Sequence, residues 1–291
     1  GKQELGYGSH RLFTFREGPN TRLTFNAAII KYQSKNGKID LFALSPASSK
    51  QGIFDDKSFE DILVGGYGTR TLVQRKLIMD YYVVNFKSDK RKYNYISGRE
   101  NRQSYGLRLF SQTSKFNYDF EGTYQSGSFN KQRIAAYSLS TDINYKLTGK
   151  SPLTLGLGGS YVSGDKTPAD NQLNTYNLLF AKPQFGLTAP IGATNIAYIN
   201  PYFTFNPIKQ LSTSAGLYFM WRQSQHDGIY SPLAIENRPN PKLIETSKQK
   251  EIGILLTLEI NYTASKNLFL SVESSYLFAG KYGKEAGNGN D

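Results

Sequence analysis

The sequence predicts an all-β fold, a transmembrane antiparallel up-and-down β-barrel, and three observations support this prediction. First, runs of more than about ten residues alternate between large apolar and small or polar side chains, and a tilted strand needs this length to cross a bilayer. Second, short and long breaks between the runs alternate along the chain. Third, mean hydropathy is negative and no run of about 18 apolar residues occurs, so a helical membrane protein is excluded.

The clearest pattern lies in residues 250–278, which predict a β-hairpin. Side chains of a strand point alternately to its two faces. One face of the first run is apolar and carries Ile252, Ile254, Leu256, Leu258, Ile260 and Tyr262. After a turn at residues 265–267, the second run places Leu268, Leu270, Val272, Tyr276 and Phe278 on one face. We expect the apolar faces to contact lipid and the polar faces to enclose water.

About thirteen such runs follow one another, and we expect them to be strands of a single barrel domain that covers residues 1–291. The first run, residues 4–13, is the weakest. The others are residues 22–32, 39–45, 62–69, 76–87, 102–112, 116–126, 134–146, 154–164, 195–205, 212–223, 252–262 and 268–278. Short breaks predict periplasmic turns and long breaks predict extracellular loops. The pattern leaves the faces of residues 39–45, 62–69 and 195–205 open.

The end of the chain departs from the pattern of a complete barrel. After Phe278 comes a segment rich in Gly, Asn and Lys, which the alternation of turns and loops places on the loop side. Barrels of this kind bring both ends to the turn side and have an even number of strands. We therefore expect at least one closing strand to be missing, and the barrel to be incomplete at both ends of the chain.

The composition argues against nucleic-acid binding and against catalysis. The net charge is +12, but no helix-turn-helix, zinc finger or basic helix accompanies it. With no cysteine and two histidines, His10 and His226, neither a thiol site nor a zinc site is expected. Ser224 and Asp227 lie next to His226 in sequence, but geometry rather than adjacency defines a catalytic triad. We expect no enzymatic activity, no cofactor and no metal.

Charged residues recur on the polar faces of the predicted strands. One reading is a conduit whose arginines hold a passing polyanion through reversible bidentate contacts. The other is that these charges neutralise one another across neighbouring strands and stiffen the wall. A net acidic lumen would favour a cation or sugar porin. The candidate lumen residues are Arg22, Arg102, Arg108, Asp119, Glu121, Asp142, Arg222 and Glu259.

A second basic cluster lies in the predicted break at residues 88–101. We expect an extracellular loop that contains Lys90, Arg91, Lys92 and Arg99. Such a cluster can attract acidic polymers or the phosphates of lipopolysaccharide. More often, such a run is a solvated loop that has no specific partner.

Several segments, taken in order, resemble the bacterial alginate export family of outer-membrane barrels. They are Gly1–Gly8 with Arg11, Arg22–Ala28, Ser104–Gln112, Tyr118–Ser126, Tyr161–Asp165, Trp221–Ser224 with Asp227–Tyr230, and Glu251–Tyr262. The resemblance implies a monomeric barrel of roughly eighteen strands, within the range of such barrels. It also implies location in the bacterial outer membrane and a basic bore for an anionic polysaccharide. Further strands before Gly1 and one after Asp291 belong to the family pattern.

The combined interpretation is a passive outer-membrane porin for a polar, anionic polysaccharide or oligosaccharide. Its expected partners are outer-membrane lipid, lipopolysaccharide and the saccharide, with no nucleic acid. An alternative is a plugged barrel that serves as a structural or docking subunit of a larger envelope assembly, with periplasmic or envelope proteins as partners. A soluble all-β sugar-binding protein is a third interpretation.

Overall fold

A computed structural model describes residues 1–15, 23–47, 60–93, 96–167, 170–186, 191–231, 236–237 and 247–286. Twelve long strands form the sheet: β2 (Phe25–Ser34), β3 (Gly37–Pro46), β4 (Asp61–Val73), β5 (Leu77–Tyr93), β6 (Ile96–Phe110), β7 (Phe116–Phe129), β8 (Gln132–Leu147), β9 (Leu153–Val162), β11 (Ile196–Ile208), β12 (Leu211–Arg222), β15 (Glu251–Ser265) and β16 (Leu268–Ala279). Short strands are β1 (Lys2–Gln3), β10 (Gln172–Leu173), β13 (Ile229–Tyr230) and β14 (Glu236–Asn237), and α1 (Lys281–Ala286) is a short helix. No helix among the described residues is long and apolar enough to cross a membrane.

The sheet is antiparallel and up-and-down along its whole main path, which confirms the predicted fold class. Its order is β1-β2-β3-β4-β5-β6-β7-β8-β9-β11-β12-β15-β16, and β10 pairs with β8 off this path. All twelve predicted runs after the first coincide with a long strand. Within the described residues the path begins at β1 and ends at β16, and these two strands do not pair with each other. The sheet has the strand order of a barrel wall.

One face of the sheet, the outer face, is covered with exposed apolar side chains. Leu256 and Leu258 are each 39% exposed, and the register sets Tyr105 beside Tyr124 and Tyr124 beside Tyr137 across β6, β7 and β8. Soluble monomers rarely expose apolar patches of more than a few hundred Å². The predicted apolar face is therefore confirmed for these strands, and it has the character of a lipid-facing surface.

The structure also assigns the strands whose faces the pattern left open. In β3 and β4, Phe42, Leu44 and Leu63 are buried, whereas Leu41 and Val64 are exposed. The buried residues belong to the inner face, which is the face on which residues 4–15 and 170–186 pack. The alternation alone could not assign these faces, because a packed interior, like lipid, selects large apolar side chains.

The prediction for Ile252 was wrong. Its alternation with Ile254 placed it on the outer face, but Ile252 is buried at 1% exposure. The pairing of β12 with β15 shifts between Met220 and Trp221, so β15 carries an extra residue at this point. A bulge of this kind re-aims the side chains that follow it. Gly253 next to it has φ +142, a conformation that favours glycine.

The prediction of a strand at residues 4–13 was also wrong. Only Lys2–Gln3 pairs with the sheet, and the chain then turns onto the inner face, where Leu5, Leu12 and Phe13 are buried. Residues 165–193 formed one of the long breaks that predict extracellular loops, but residues 173–179 within it are buried throughout. The pattern of apolar residues alone cannot distinguish a strand from an irregular segment that packs against the sheet.

Candidate functional site on the inner face

Two segments, residues 4–15 and 170–186, pack together on the inner face. Backbone hydrogen bonds join them, with the Thr14 amide donating to the Phe180 carbonyl at 3.0 Å and the Phe180 amide donating to the Leu12 carbonyl at 3.1 Å. Phe13 packs edge-on against Phe25 and Phe42 of the wall. Because buried aromatic groups supply much of the energy of a core, the two segments form one body with the sheet. We call them the inner segments.

Arg102 holds the second inner segment to the wall. Its side chain is fully buried, pairs with Glu100, and donates to Gln125 Oε1 at 2.7 Å and to the Thr175 carbonyl at 3.1 Å. Asn177 completes the network, since its side-chain amide donates to Glu100 at 3.2 Å. A buried charge must be paired and hydrogen-bonded, and here each partner also fixes the inner segment. Arg102, a candidate lumen residue, is thus fully buried between the wall and the second inner segment.

Arg222, also a candidate, is likewise buried. At the end of β12 its guanidinium donates to backbone carbonyls, including those of Gln225 at 3.0 Å and Ser247 at 3.2 Å, and lies 3.6 Å from the centre of the Tyr282 ring. These contacts connect the ends of the segment between β12 and β15 with α1. The arginine therefore supports loop-side structure, and its sequence offered no sign of this because the partners are main-chain atoms.

Arg108 is neutralised by carboxylates of both neighbouring strands. It donates from Nε to Asp119 Oδ1 at 2.8 Å and from a terminal nitrogen to Asp80 Oδ2 at 3.0 Å, while its guanidinium lies 4.0 Å from the centre of the Phe110 ring. The register sets Glu121 directly opposite Arg108. Glu121 nevertheless bonds elsewhere, accepting from the Tyr82 hydroxyl at 2.9 Å and from Ser9 of the first inner segment.

The remaining lumen candidates are spread over the inner face. Asp142 accepts from the Tyr202 hydroxyl at 2.9 Å, and Glu259 is exposed and accepts from Asn261 at 2.7 Å. Arg22 lies outside the described residues. The structure therefore gathers Arg108, Asp119 and Glu121 in one region and leaves Arg102, Arg222, Asp142 and Glu259 apart from them.

The predicted basic loop is instead a strand hairpin. β5 and β6 extend to Tyr93 and Ile96, so Lys90, Arg91, Lys92 and Arg99 lie on strands rather than in a loop. Carboxylates are close by: Lys90 lies 3.4 Å from Glu60, Arg91 lies 3.4 Å from Asp61, and Arg99 lies 3.3 Å from Asp89. The predicted break at residues 88–101 was wrong because both strands continue into it, whereas the extracellular location of these residues stays a prediction.

On the loop side lies a hydrogen-bond network around a buried carboxylate that the sequence did not reveal. Asp227 is fully buried and accepts from the Asp165 amide at 2.7 Å, from the Thr175 hydroxyl at 2.6 Å and from the Tyr230 hydroxyl at 2.7 Å. Burial raises the pKa of Asp165 to about 7, and the nearby charge of Asp227 acts in the same direction. Asp227 therefore has a structural role, which neither its position beside Ser224 and His226 nor the family resemblance had indicated. Over the described residues no group of His, Cys, Asp and Glu has the arrangement of a metal site.

Positive side chains occupy every short turn at one end of the sheet. Six turns join β2–β3, β4–β5, β6–β7, β8–β9, β11–β12 and β15–β16, and consecutive antiparallel strands bring all six to the same end. These turns contain no Asp or Glu, and each carries at least one exposed basic residue. We call this set the turn-side basic rim: Lys35, Arg75, Lys76, Lys115, Lys150, Lys209 and Lys266.

Comparison with protein families provides a match over almost the whole chain. The family model described as alginate export matches residues 1–290. Among curated proteins, none is similar enough in sequence to count as a match. The family is one of outer-membrane β-barrel transport proteins rather than enzymes, and the match supports a polysaccharide export channel in general.

Proposed function

Because the chain belongs to the alginate export family, we propose that it is an outer-membrane channel through which a polar, anionic saccharide passes passively. The observation that supports a negatively charged cargo is the turn-side basic rim, which the alternation of turns and loops assigns to the periplasmic end. The exposed apolar outer face supports placement of the chain in the outer membrane. Transport needs no cofactor, because the cargo moves down its gradient.

The rim supports capture of an anionic polymer at the periplasmic mouth. Its seven basic side chains are exposed and, among the described residues, none forms an ion pair with a carboxylate. Charges of one sign around an opening raise the local concentration and the association rate of oppositely charged ligands. Screening limits this attraction to about 8 Å at physiological ionic strength, so it acts where the polymer enters.

The wall itself supports weak contact with the cargo. Arg102, Arg108 and Arg222, for which contact with a polyanion was one of two readings, are engaged with protein groups. Asp142 is likewise bonded to a protein group, the Tyr202 hydroxyl of β11 two strands away, whereas the Glu259 carboxylate is exposed. Conduction requires binding that favours entry and still permits exit. The basic residues at the mouth favour entry, and a wall that carries charges of both signs permits exit.

Reconstitution of the protein into planar bilayers tests this proposal. We expect conductance that a polyuronate oligomer blocks from the turn side, with the block weakening steeply as salt increases. The variant Lys115→Glu, Lys150→Glu, Lys209→Glu should weaken the block at least tenfold. The matched control places the same three charge reversals on exposed loop-side lysines, Lys90, Lys131 and Lys166, and should leave turn-side block unchanged. Absence of conductance, or equal effects of the two triple variants, would refute the proposal.

A structural or docking barrel is the second candidate function. The observation in its favour is that the inner segments fill part of the inner face, where Phe13 and Phe185 belong to two buried apolar clusters shared with the wall. A barrel of this kind would show no conductance in bilayers and would purify with an envelope protein in a fixed ratio. Conductance by the isolated protein would exclude this alternative.

A further inference from the structure

A cavity of about 820 Å³ lies on the inner face, between the first inner segment and strands β2 to β7. Its lining includes Thr71, Ile78 and Ser111 near the turns, so the cavity is in the turn-side half of the sheet. The residues that matter for recognition are Tyr7, Asp40, Tyr67, Asp80, Arg108 and Asp119. The size suits a small part of a saccharide chain, since ligand sites commonly have volumes of about 300–1,000 Å³.

Asp80 is the residue that points to a ligand. It is 2% exposed, and its Oδ2 atom accepts from the Tyr67 hydroxyl at 2.7 Å and from Arg108 at 3.0 Å. Its Oδ1 atom is buried and has no hydrogen-bond partner. Buried polar atoms are nearly always paired, and an unpaired one needs an explanation. A donor group of a ligand in the cavity would satisfy this oxygen.

Aromatic rings form a second element of the cavity. Tyr7 of the inner segment stacks on Tyr67 with ring centres 4.8 Å apart, and Tyr67 stacks on Tyr82 at 5.5 Å. The Tyr7 hydroxyl donates to Asp40 Oδ2 at 3.0 Å, which fixes the ring. Flat rings of fixed orientation beside a few hydrogen-bonding groups are the usual composition of a small-molecule site, and they suit the apolar face of a sugar ring.

The charge of the cavity selects among saccharide groups. Four carboxylates line it, those of Glu4, Asp40, Asp80 and Asp119. Arg108 also lines it, but its donors already bond to Asp80 and Asp119. Lys31 and Lys38 also line the cavity, but both are exposed. A carboxylate or sulfate group beside Asp80 would face like charge. Hydroxyl groups, which donate hydrogen bonds, are accepted there.

We propose that this cavity is a subsite that binds the hydroxyl edge of a neutral sugar ring, with Asp80 Oδ1 accepting from a hydroxyl and Tyr7 stacking on the ring. This inference rests on the proposed saccharide transport, and it adds a second recognition step after the basic rim. The rim attracts the charge of the polymer, whereas the subsite reads its hydroxyl groups. Neutral oligosaccharides should therefore bind although they gain nothing from the rim.

Binding of cellohexaose to the full chain in detergent, measured by calorimetry, tests the subsite. We expect Asp80→Asn and Tyr7→Leu each to weaken binding at least tenfold. Asp142→Asn is the matched control, because Asp142 is another inner-face carboxylate bonded to a tyrosine but does not line the cavity. It should leave the affinity within twofold of the parent protein.

The outcomes separate the two proposals. Cellohexaose binding that neither Asp80→Asn nor Tyr7→Leu weakens, or no binding at all, overturns the subsite. If in that case a polyuronate still blocks conductance, the channel stands without it. Binding that depends on Asp80 and Tyr7 in a protein that shows no conductance leaves the subsite in place and refutes the channel. Equal loss in Asp142→Asn would show a general effect of wall charge and would also overturn the subsite.

Discussion

Replacement of Arg102 by methionine should strongly destabilise the protein. The change removes the ion pair with Glu100 and the hydrogen bonds to Gln125 and Thr175, while Glu100 stays fully buried. Removing one partner of a buried pair costs about 3–5 kcal/mol, because the other charge is left uncompensated. At about 1.4 kcal/mol per tenfold, the unfolding equilibrium should shift by between about two and four powers of ten.

Urea unfolding in lipid vesicles, followed by tryptophan emission, measures this change. Trp221 is the single tryptophan of the chain and is partly exposed on the outer face, so its emission reports transfer from lipid to water. The control is Arg99→Met, since Arg99 and its partner Asp89 are 85% and 69% exposed. Exposed pairs contribute at most about 1 kcal/mol.

A double variant separates the buried charge from lost packing. When Glu100→Gln is added to Arg102→Met, no unpaired charge remains, and we expect at least about 2 kcal/mol of stability to return. If Arg102→Met is no more destabilising than Arg99→Met, Arg102 does not anchor the inner segment. If the double variant recovers nothing, the cost lies in packing rather than in charge.

Three further outcomes are expected. Leu256→Arg on the outer face should cost about 2–4 kcal/mol in vesicles, whereas Thr257→Arg on the inner face should cost less than half of this; equal costs would contradict the lipid-facing assignment. Burial raises the pKa of Asp165 from 3.8 to about 7, so the folded state holds the extra proton. The unfolding free energy should then fall as pH rises from about 4 to 7 and level off above, and a slope that persists in Asp165→Asn would contradict this. Gly253→Ala should destabilise by more than about 1 kcal/mol in urea unfolding, because the added Cβ would lie 2.1 Å from the Phe278 carbonyl at φ +142; an unchanged midpoint would show that the bulge relaxes.

The two proposals give different roles to the turn side and the loop side of the sheet. The turn side presents exposed positive charge and the cavity around Asp80, whereas on the loop side the buried Arg102, Arg222 and Asp227 hold segments in place. Both halves also carry exposed charged residues, such as Lys115 at the turns and Lys131 on the loop side. Substitutions near the turns should change cargo binding, and substitutions on the loop side should first change stability.

Strands and turns could be predicted from the sequence because their causes are local. The two-residue period of residues 252–262 and 268–278, and turns such as residues 113–115, depend on neighbours along the chain. The predicted bounds therefore match β15, β16 and the β6–β7 turn closely. Where a bulge interrupts the period, as at Ile252, the prediction failed because the extra residue leaves no sign in the alternation.

The sequence by itself determined which residues form strands, which face of most strands is apolar, and the family to which the chain belongs. Tertiary structure alone decided the surroundings of the polar face. A polar side chain on a strand obeys the same alternation whether it contacts water, as Glu259 does, or a folded segment, as Arg102 does. The difference arises from residues 4–15 and 170–186, whose contacts with the wall span long distances in sequence and have no local period.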